Sequence, residues 1–266
     1  MSSHVPPAFP GLPTAPARAA RPARPLTAVR AYHSVAAAVL LVLVFVGFRQ
    51  FYTHGRAYPG RPIDPSMRTV VITHGVAMTA WLLLSVVQPL LVALRNMRLH
   101  RVLGTVGVVL AALITVPGVQ VAIASVRNTP PEARIWGLTA HEFMIVPVAS
   151  LVLFLAFVAA GLVTRRRPAI HRPMMQLATL AVASAGISRI DALSELYMGT
   201  VFDRLFGPFF LTLVFGGLVL AGRCLVTRSF DRWFAGGYAV LVIANCAMMQ
   251  LATSGLWTGI AHALAG

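Results

Sequence analysis

Residues 138–163 read LTAHEFMIVPVASLVLFLAFVAAGLV, and this stretch decides the fold class. It carries one carboxylate, that of Glu142, and no arginine. A helix of about 20 apolar residues crosses the ~30 Å hydrocarbon core of a bilayer. Because lipid offers the backbone no hydrogen-bond partner, a segment of this kind spans the membrane as a helix that satisfies its own peptide groups. The stretch therefore predicts a transmembrane α-helix.

Six further stretches have the same character, and together the seven account for most of the 266 residues. The chain is 58% apolar and only 11% charged, which excludes a large soluble catalytic domain. The sequence therefore predicts an all-α integral membrane bundle of seven transmembrane helices over residues 29–266. The other predicted spans are 34–48, 70–94, 102–125, 173–195, 208–226 and 236–260.

Residues 1–28 differ in composition from the rest of the chain. They are rich in proline, alanine and arginine and show no periodic apolar face. A segment of this composition buries too little apolar surface to fold. It is interpreted as a disordered basic tail.

The charge of the chain points to a membrane surface. All 22 basic residues are arginines, against seven acids, which yields a formal net charge of +15. These arginines are spread over every loop, so membrane lipid is the expected partner and nucleic acid is not. Counted over alternate loops, the arginine-richer set includes the N-terminal tail, which predicts a cytoplasmic N-terminus. The expected location is the bacterial cytoplasmic (inner) membrane.

Four histidines stand at two matched depths in the predicted spans. His74 and His141 lie about one turn inside the outer boundary, whereas His100 and His171 open their spans from the inner side. The tripeptide LHR around His100 also matches the IHR around His171. Spans two to five are therefore interpreted as a duplicated helical hairpin.

Such an arrangement suits a haem iron with two axial imidazoles. The iron needs one histidine from each of two helices, facing each other at the same depth. The sequence predicts an outer pair, His74 with His141, and an inner pair, His100 with His171. These four side chains are the candidate ligands of haem iron.

Haem propionates are anionic and need cationic partners near the interface. Arg101 and Arg172 directly follow the inner histidines, and Arg189 lies near the outer end of the fifth predicted span. These three arginines are therefore candidate haem-binding residues.

The histidine layout resembles the cytochrome b561 family of transmembrane di-haem cytochromes over residues about 70–195. In that family, four axial histidines on four consecutive core helices pair two-with-four and three-with-five. The resemblance implies two b-type haems and electron transport between carriers on opposite faces. A quinone or a redox protein is the expected partner. His100 and His171 depart from the family by lying at the very edge of their spans, and Pro173 closely follows His171.

The chain also looks like a group of bacterial multi-helix membrane proteins that carry the pattern H...Q...LHRxLG. His74, Gln88, the tripeptide at 99–101 and Gly104 make this pattern here. That second resemblance implies no activity. It leaves open a cofactor-free structural or assembly role, in which histidine and arginine at helix ends only reach the lipid headgroups.

A polar stripe marks the fifth predicted span. Ser184, Ser188, Asp191 and Glu195 follow one another at helical spacing along one face. Ionisable groups at membrane depth usually face the bundle interior or a water-filled cavity. The stripe is therefore expected to face the protein on the outer side.

The stripe also allows a metal site, as an alternative to haem, at the outer level. His74 and His141 together with Glu142 and Asp191 form a ligand set suited to Zn or Fe. Zinc bound there would activate water, with Glu142 as a possible general base. The alternative function is then a metal-dependent membrane hydrolase.

Overall fold

The structure, a computed structural model, describes residues 28–266, with side chains from Tyr32 onward, and this part of the chain is nearly all-α. The tail predicted for residues 1–28 lies outside the described residues, except for Ala28, which begins the first helix. The elements are α1 (Ala28–Gly47), α2 (Arg49–His54), β1 (Arg56–Ala57), β2 (Arg61–Pro62), α3 (Arg68–Ala93), α4 (Met97–Arg127), α5 (Ala140–Phe143), α6 (Ile145–Val163), α7 (Pro168–Ile187), α8 (Asp191–Ser194), α9 (Val201–Phe206), a 3₁₀ turn (Gly207–Phe209), α10 (Phe210–Thr227), α11 (Arg232–Ala252) and α12 (Gly255–Ala265).

Five helical segments are long and apolar enough to cross a membrane, which indicates an integral membrane protein. A shorter apolar helix, Tyr32–Gly47, accompanies them. Of the seven predicted spans, five correspond to these segments and the first to the shorter apolar helix. The fifth corresponds to α7, which does not qualify because it opens with polar residues. The five segments are Arg68–Ala93, Met97–Arg127, Ala140–Val163, Val201–Thr227 and Arg232–Ala252.

Two predicted spans extend beyond the ends of the helices. The fifth is predicted at 173–195, but α7 ends at Ile187 and Asp191 begins the separate short helix α8. The seventh is predicted at 236–260, but α11 ends at Ala252, and the hydroxyl of Ser254 accepts a hydrogen bond from Trp257 N as the cap of α12. In both cases polar residues that fit a helical pattern instead form the turn between two helices.

The two predicted hairpins form a four-helix core. Helix α3 packs on α4, α4 on α6, α6 on α7, and α7 returns to α3. Helices α4 and α7 therefore stand on one diagonal of the core, and α3 and α6 on the other. Around it, α1, α10 and α11 also pack against α7, which places α7 at the centre of the molecule.

Large side chains fill the middle of the core. The Trp81 ring of α3 lies 4.8 Å from the Phe154 ring of α6, edge to face, across one diagonal. The indole Nε1 of Trp81 also donates a 3.1 Å hydrogen bond to Oγ1 of Thr179 on α7. Trp81, Phe154 and Thr179 thus lie between the two ends of the core, so each pair of histidines has its own surroundings.

Helix α1 reaches α7 at a contact between two glycines. A Cβ added at Gly47 would meet the backbone carbonyl of Gly186, and one added at Gly186 would meet Val44. Small residues at such crossings let helix backbones approach closely where lipid supplies no hydrophobic drive. The position of α1 therefore depends on this glycine pair.

We expect Gly186→Leu to separate α1 from α7 and to cost about 3 kcal/mol of stability through overpacking. The measurement is the thermal midpoint of the detergent-solubilised protein, followed by size-exclusion chromatography. Gly259→Leu is the matched control, because a Cβ there meets no atom within 4 Å. Equal midpoints for the two variants would contradict this role of the glycine pair.

Candidate functional site

The structure brings His100 and His171 together. His100 projects from α4 and His171 from α7, the two helices on one diagonal of the core. Their ring centroids are 6.4 Å apart, and the ring planes are 89° apart. Both side chains are half-buried. The end of the bundle where this pair lies is called the histidine end below.

The two histidines occupy the same position in their helices. Each is the fourth residue, since α4 begins at Met97 and α7 at Pro168. Asn96 caps α4 by accepting a 3.1 Å hydrogen bond from Leu99 N, and proline is suited to the first residue of α7. The two helix starts therefore place their imidazoles at one depth.

Hydrogen bonding fixes the proton on one of the rings. Nδ1 of His171 lies 2.8 Å from the carbonyl oxygen of Gly161. A carbonyl only accepts, so Nδ1 carries the hydrogen and Nε2 keeps its lone pair. An imidazole held in this way is pre-oriented as a metal ligand through Nε2.

His100 is less satisfied than its partner. Its Nδ1 is buried without a hydrogen-bond partner, and the same is true of Oε1 of the neighbouring Gln88. The amide nitrogen of Gln88 donates a 3.2 Å bond to the backbone oxygen of His100. Buried polar atoms are nearly always paired, so these two atoms are exceptions within the described interior.

The separation of the rings suits an iron between them. A metal–imidazole bond is about 2 Å long, so two such bonds and two ring radii span roughly 6 Å. Haem iron needs only two ligands from the protein, whereas a structural zinc ion needs about four. Two histidines alone therefore fit haem iron, whose other four ligands are the porphyrin nitrogens.

Small or flexible residues follow both histidines by one helical turn. Gly104 follows His100 by one turn on the same face, and a Cβ there would meet only the amide nitrogen of Gln88 at 3.8 Å. The corresponding residue after His171 is Met175, a half-buried and adaptable side chain. A flat group next to the rings would meet a glycine on one helix and a flexible thioether on the other.

Several guanidinium groups surround this end. Arg101 and Arg172 are exposed, and Nε of Arg101 donates to the carbonyl of Met97 at 3.3 Å. Among the side chains that the structure describes, Tyr32 to Gly266, the only ion pair is that of Arg223 with Asp231. The two predicted haem-binding arginines are thus available to an anionic group. Arg165, Arg166 and Arg167 in the α6–α7 turn are exposed as well.

The other predicted pair, His74 with His141, is arranged differently. Nδ1 of His74 lies 2.9 Å from the carbonyl oxygen of Ile114, and its ring packs against Gly118 of α4. The His141 ring instead stacks on His262 of α12, with centroids 4.0 Å apart and planes 26° apart. Each ring therefore contacts a different part of the molecule, and the structure shows no ring contact between His74 and His141.

The remaining outer-site candidates have structural partners. The Arg189 guanidinium lies 4.6 Å above the Phe48 ring and donates to the carbonyl of Ala185. Asp191 accepts a 2.5 Å hydrogen bond from the Tyr58 hydroxyl, and this bond raises the pKa of Tyr58. Arg189 and Asp191 thus tie the end of α7 to α1 and to the loop after α2.

Glu142 also has a local role. Its Oε2 accepts a 2.7 Å hydrogen bond from Thr139 N, while Oγ1 of Thr139 accepts one from Glu142 N, which completes a capping box at the start of α5. Within residues 28–266, no group of three or more His, Cys, Asp or Glu side chains could hold a metal ion. The zinc site predicted at the outer level therefore lacks a gathered ligand set in this part of the chain.

A second polar cluster at the histidine end escaped the sequence analysis. Nη1 of Arg223 on α10 lies 2.9 Å from Oδ2 of Asp231 and donates to Nε2 of His33 on α1 at 3.3 Å. Oδ1 of Asp231 also accepts from the first backbone N–H groups of α11. Three helices are clamped together in this way. No sequence signal marked the cluster, because its members lie far apart along the chain.

Buried polar atoms without a hydrogen-bond partner concentrate at the histidine end. Apart from Asp231 Oδ2, which is ion-paired with Arg223, eight such atoms are found among the described residues, and six of them lie where α1, α4 and α7 begin or where α3 and α10 end. Unpaired polar atoms of the described interior are thus gathered at this end of the bundle. The six atoms are His33 Nδ1, Ser34 Oγ, Gln88 Oε1, His100 Nδ1, Gln176 Oε1 and Arg223 Nε.

Comparison of the chain with protein-family models, curated proteins and solved structures finds no match. The functional interpretation therefore rests on the histidine end and its geometry.

Asp231 offers a test of the clamp. Its side chain is only 5% exposed and that of Arg223 is 19% exposed, so Asp231→Ala leaves a buried guanidinium unpaired and removes a helix cap. We expect a loss of about 3 kcal/mol or more in stability, measured as the thermal midpoint in detergent.

Asp231→Asn is the matched control, because asparagine caps helices as well as aspartate does. This variant should fall between the wild type and Asp231→Ala, and adding Arg223→Met to it should raise the midpoint again. If Asp231→Ala left the thermal midpoint unchanged, the clamp would not contribute to the stability of the protein.

Proposed function

We propose that this chain is a membrane-bound b-type cytochrome that holds a haem between His100 and His171 and passes single electrons through it. The observation that carries the proposal is the nearness of these two rings, whose centroids are 6.4 Å apart, at equivalent positions on two diagonal helices. The haem iron would supply one-electron redox chemistry. The protein supplies its ligands, its orientation and its electrostatic surroundings.

Each residue of the site has a specific part in this proposal. Nε2 of His171 is free to bind iron because Nδ1 donates to Gly161. His100 would supply the second ligand through Nε2, and Gln88 donates to its backbone carbonyl. Arg101 and Arg172 would pair with the haem carboxylates at the interface.

The proposal includes the membrane topology. We propose that α1 and α7 cross the membrane along with the five apolar segments, which makes seven crossings with the N-terminus in the cytoplasm. Helices α1, α3, α6, α10 and α11 pack around α7, which supports a crossing despite its polar start. The arginine distribution supports a bacterial inner membrane, with a quinone or a redox protein as the electron partner.

A second haem between His74 and His141 stays a prediction. The stacking of His141 on His262 and the bond from His74 to Ile114 mean that both rings would have to turn to meet. The single haem at the histidine end is therefore the form of the proposal that the geometry supports best.

Purified protein expressed with an adequate haem supply should show Soret and α-band maxima in its reduced-minus-oxidised difference spectrum. We expect His100→Ala and His171→Ala each to abolish this spectrum, because one axial ligand is lost in each. His74→Ala and His141→Ala are matched controls and should retain it. The haem content is measured beside the protein content in every sample.

Three results would overturn the proposal. One is a wild-type protein that binds no haem when haem is supplied, which favours the cofactor-free structural or assembly role. Another is zinc without iron in elemental analysis, which favours the metal-dependent hydrolase. The third is a spectrum that disappears in His74→Ala or His141→Ala but persists in both variants at the histidine end.

A further inference from the structure

An open apolar groove of about 430 Å³ lies on the surface between α6, α7 and α11. Gly236 and Gly237 of α11 are among its lining residues. At one end stand Arg232, the only charged residue that lines it, and Trp233. The remaining lining is entirely apolar, formed by Leu153, Ala156, Phe157, Ala160, Met174 and Val240.

The groove runs along the helix axes away from the histidine end. Helix α6 ends where α11 begins, so Ala160 lies beside Arg232, while Leu153 and Val240 lie about two turns deeper. Two turns of helix rise roughly 11 Å. The groove therefore extends from a charged end toward the apolar middle of the bundle.

Its charged end is suited to an anion. The Arg232 side chain is exposed, its guanidinium lies 5.3 Å from the Trp233 ring, and no carboxylate between residues 28 and 266 pairs with it. Just beyond the end of α6 stand the exposed arginines 165–167. Cations and an aromatic ring at the mouth of an apolar groove are the features that anchor proteins at the headgroup level.

We propose that this groove binds one acyl chain of an anionic phospholipid, with its phosphate held by Arg232. An apolar chain matches the lining, and a phosphate matches the uncompensated guanidinium at the mouth. The volume lies within the roughly 300–1,000 Å³ of specific ligand sites. A quinone fits less well, because its ring carries no negative charge for Arg232. The proposal is independent of haem binding.

Gly236 is the residue that makes the groove testable. A Cβ added there meets no atom within 4 Å, so a larger side chain extends into the groove without disturbing the helix packing. Gly237 is unsuitable, because a Cβ there would meet Leu177 of α7. Gly236→Leu therefore removes the space for a lipid chain while sparing the fold.

The experiment is native mass spectrometry of the full chain, delipidated in detergent and titrated with equimolar phosphatidylglycerol and phosphatidylcholine, with a quinone in a separate arm. We expect one phosphatidylglycerol to be retained preferentially by the wild type. Gly236→Leu should weaken this retention about tenfold or more, since the chain loses its buried contact area. Arg232→Gln should remove the preference for the anionic lipid, because a charge-assisted contact is worth about tenfold in affinity.

Two matched controls accompany these variants. Gly259→Leu adds the same side chain at another open glycine, and Arg95→Gln removes an exposed arginine from the α3–α4 turn outside the groove. Both should bind phosphatidylglycerol like the wild type. Equal retention of the two lipids by the wild type would overturn the proposal, as would unchanged retention in Gly236→Leu. The proposal would also be overturned if Gly236→Leu abolished a dimer or quinone binding and left lipid retention unchanged.

Discussion

The contact of a polar helix start with several neighbouring helices in an otherwise apolar bundle is the constraint on which the rest of the structure depends. Helix α7 opens with Pro168, His171 and Arg172 and carries Gln176 one turn later, and α1, α3, α6, α10 and α11 all pack against it. Lipid cannot satisfy such side chains, so His171 and Gln176 are half-buried against other helices, whereas Arg172 is exposed at the helix start. The starts of α1, α4 and α11 face the same region, which gathers the buried polar atoms at the histidine end.

His100 and His171 lie close together because of the register of their helices. Both residues are fourth in their helices, and both helices start at the same end of the bundle on one diagonal of the core. No loop has to fold over the site to make it. The outer level lacks this equivalence, because α5 breaks from α6 at Met144 and carries His141 toward α12 instead of the core.

The apolar helices and the pairing of their hairpins were predictable, because apolar runs of membrane length and repeated dipeptides are local signals. The breaks after Ile187 and Ala252 were not, since serine, aspartate and glycine at helical spacing fit a helix and a capped turn equally well. His262 and the His33–Arg223–Asp231 cluster escaped prediction for another reason. Their partners come from helices far apart in sequence, and only the packing of α12 on α5 and of α10 and α11 around α7 brings them together.

Chemical cross-linking in the native membrane tests the facing of the two imidazoles most directly. In a chain whose Cys224 and Cys246 are replaced by serine, His100→Cys with His171→Cys should be joined within one molecule by a short bis-thiol reagent. His74→Cys with His141→Cys should not be joined under the same conditions. Efficient joining of the second pair, with none of the first, would contradict the arrangement of the histidine end.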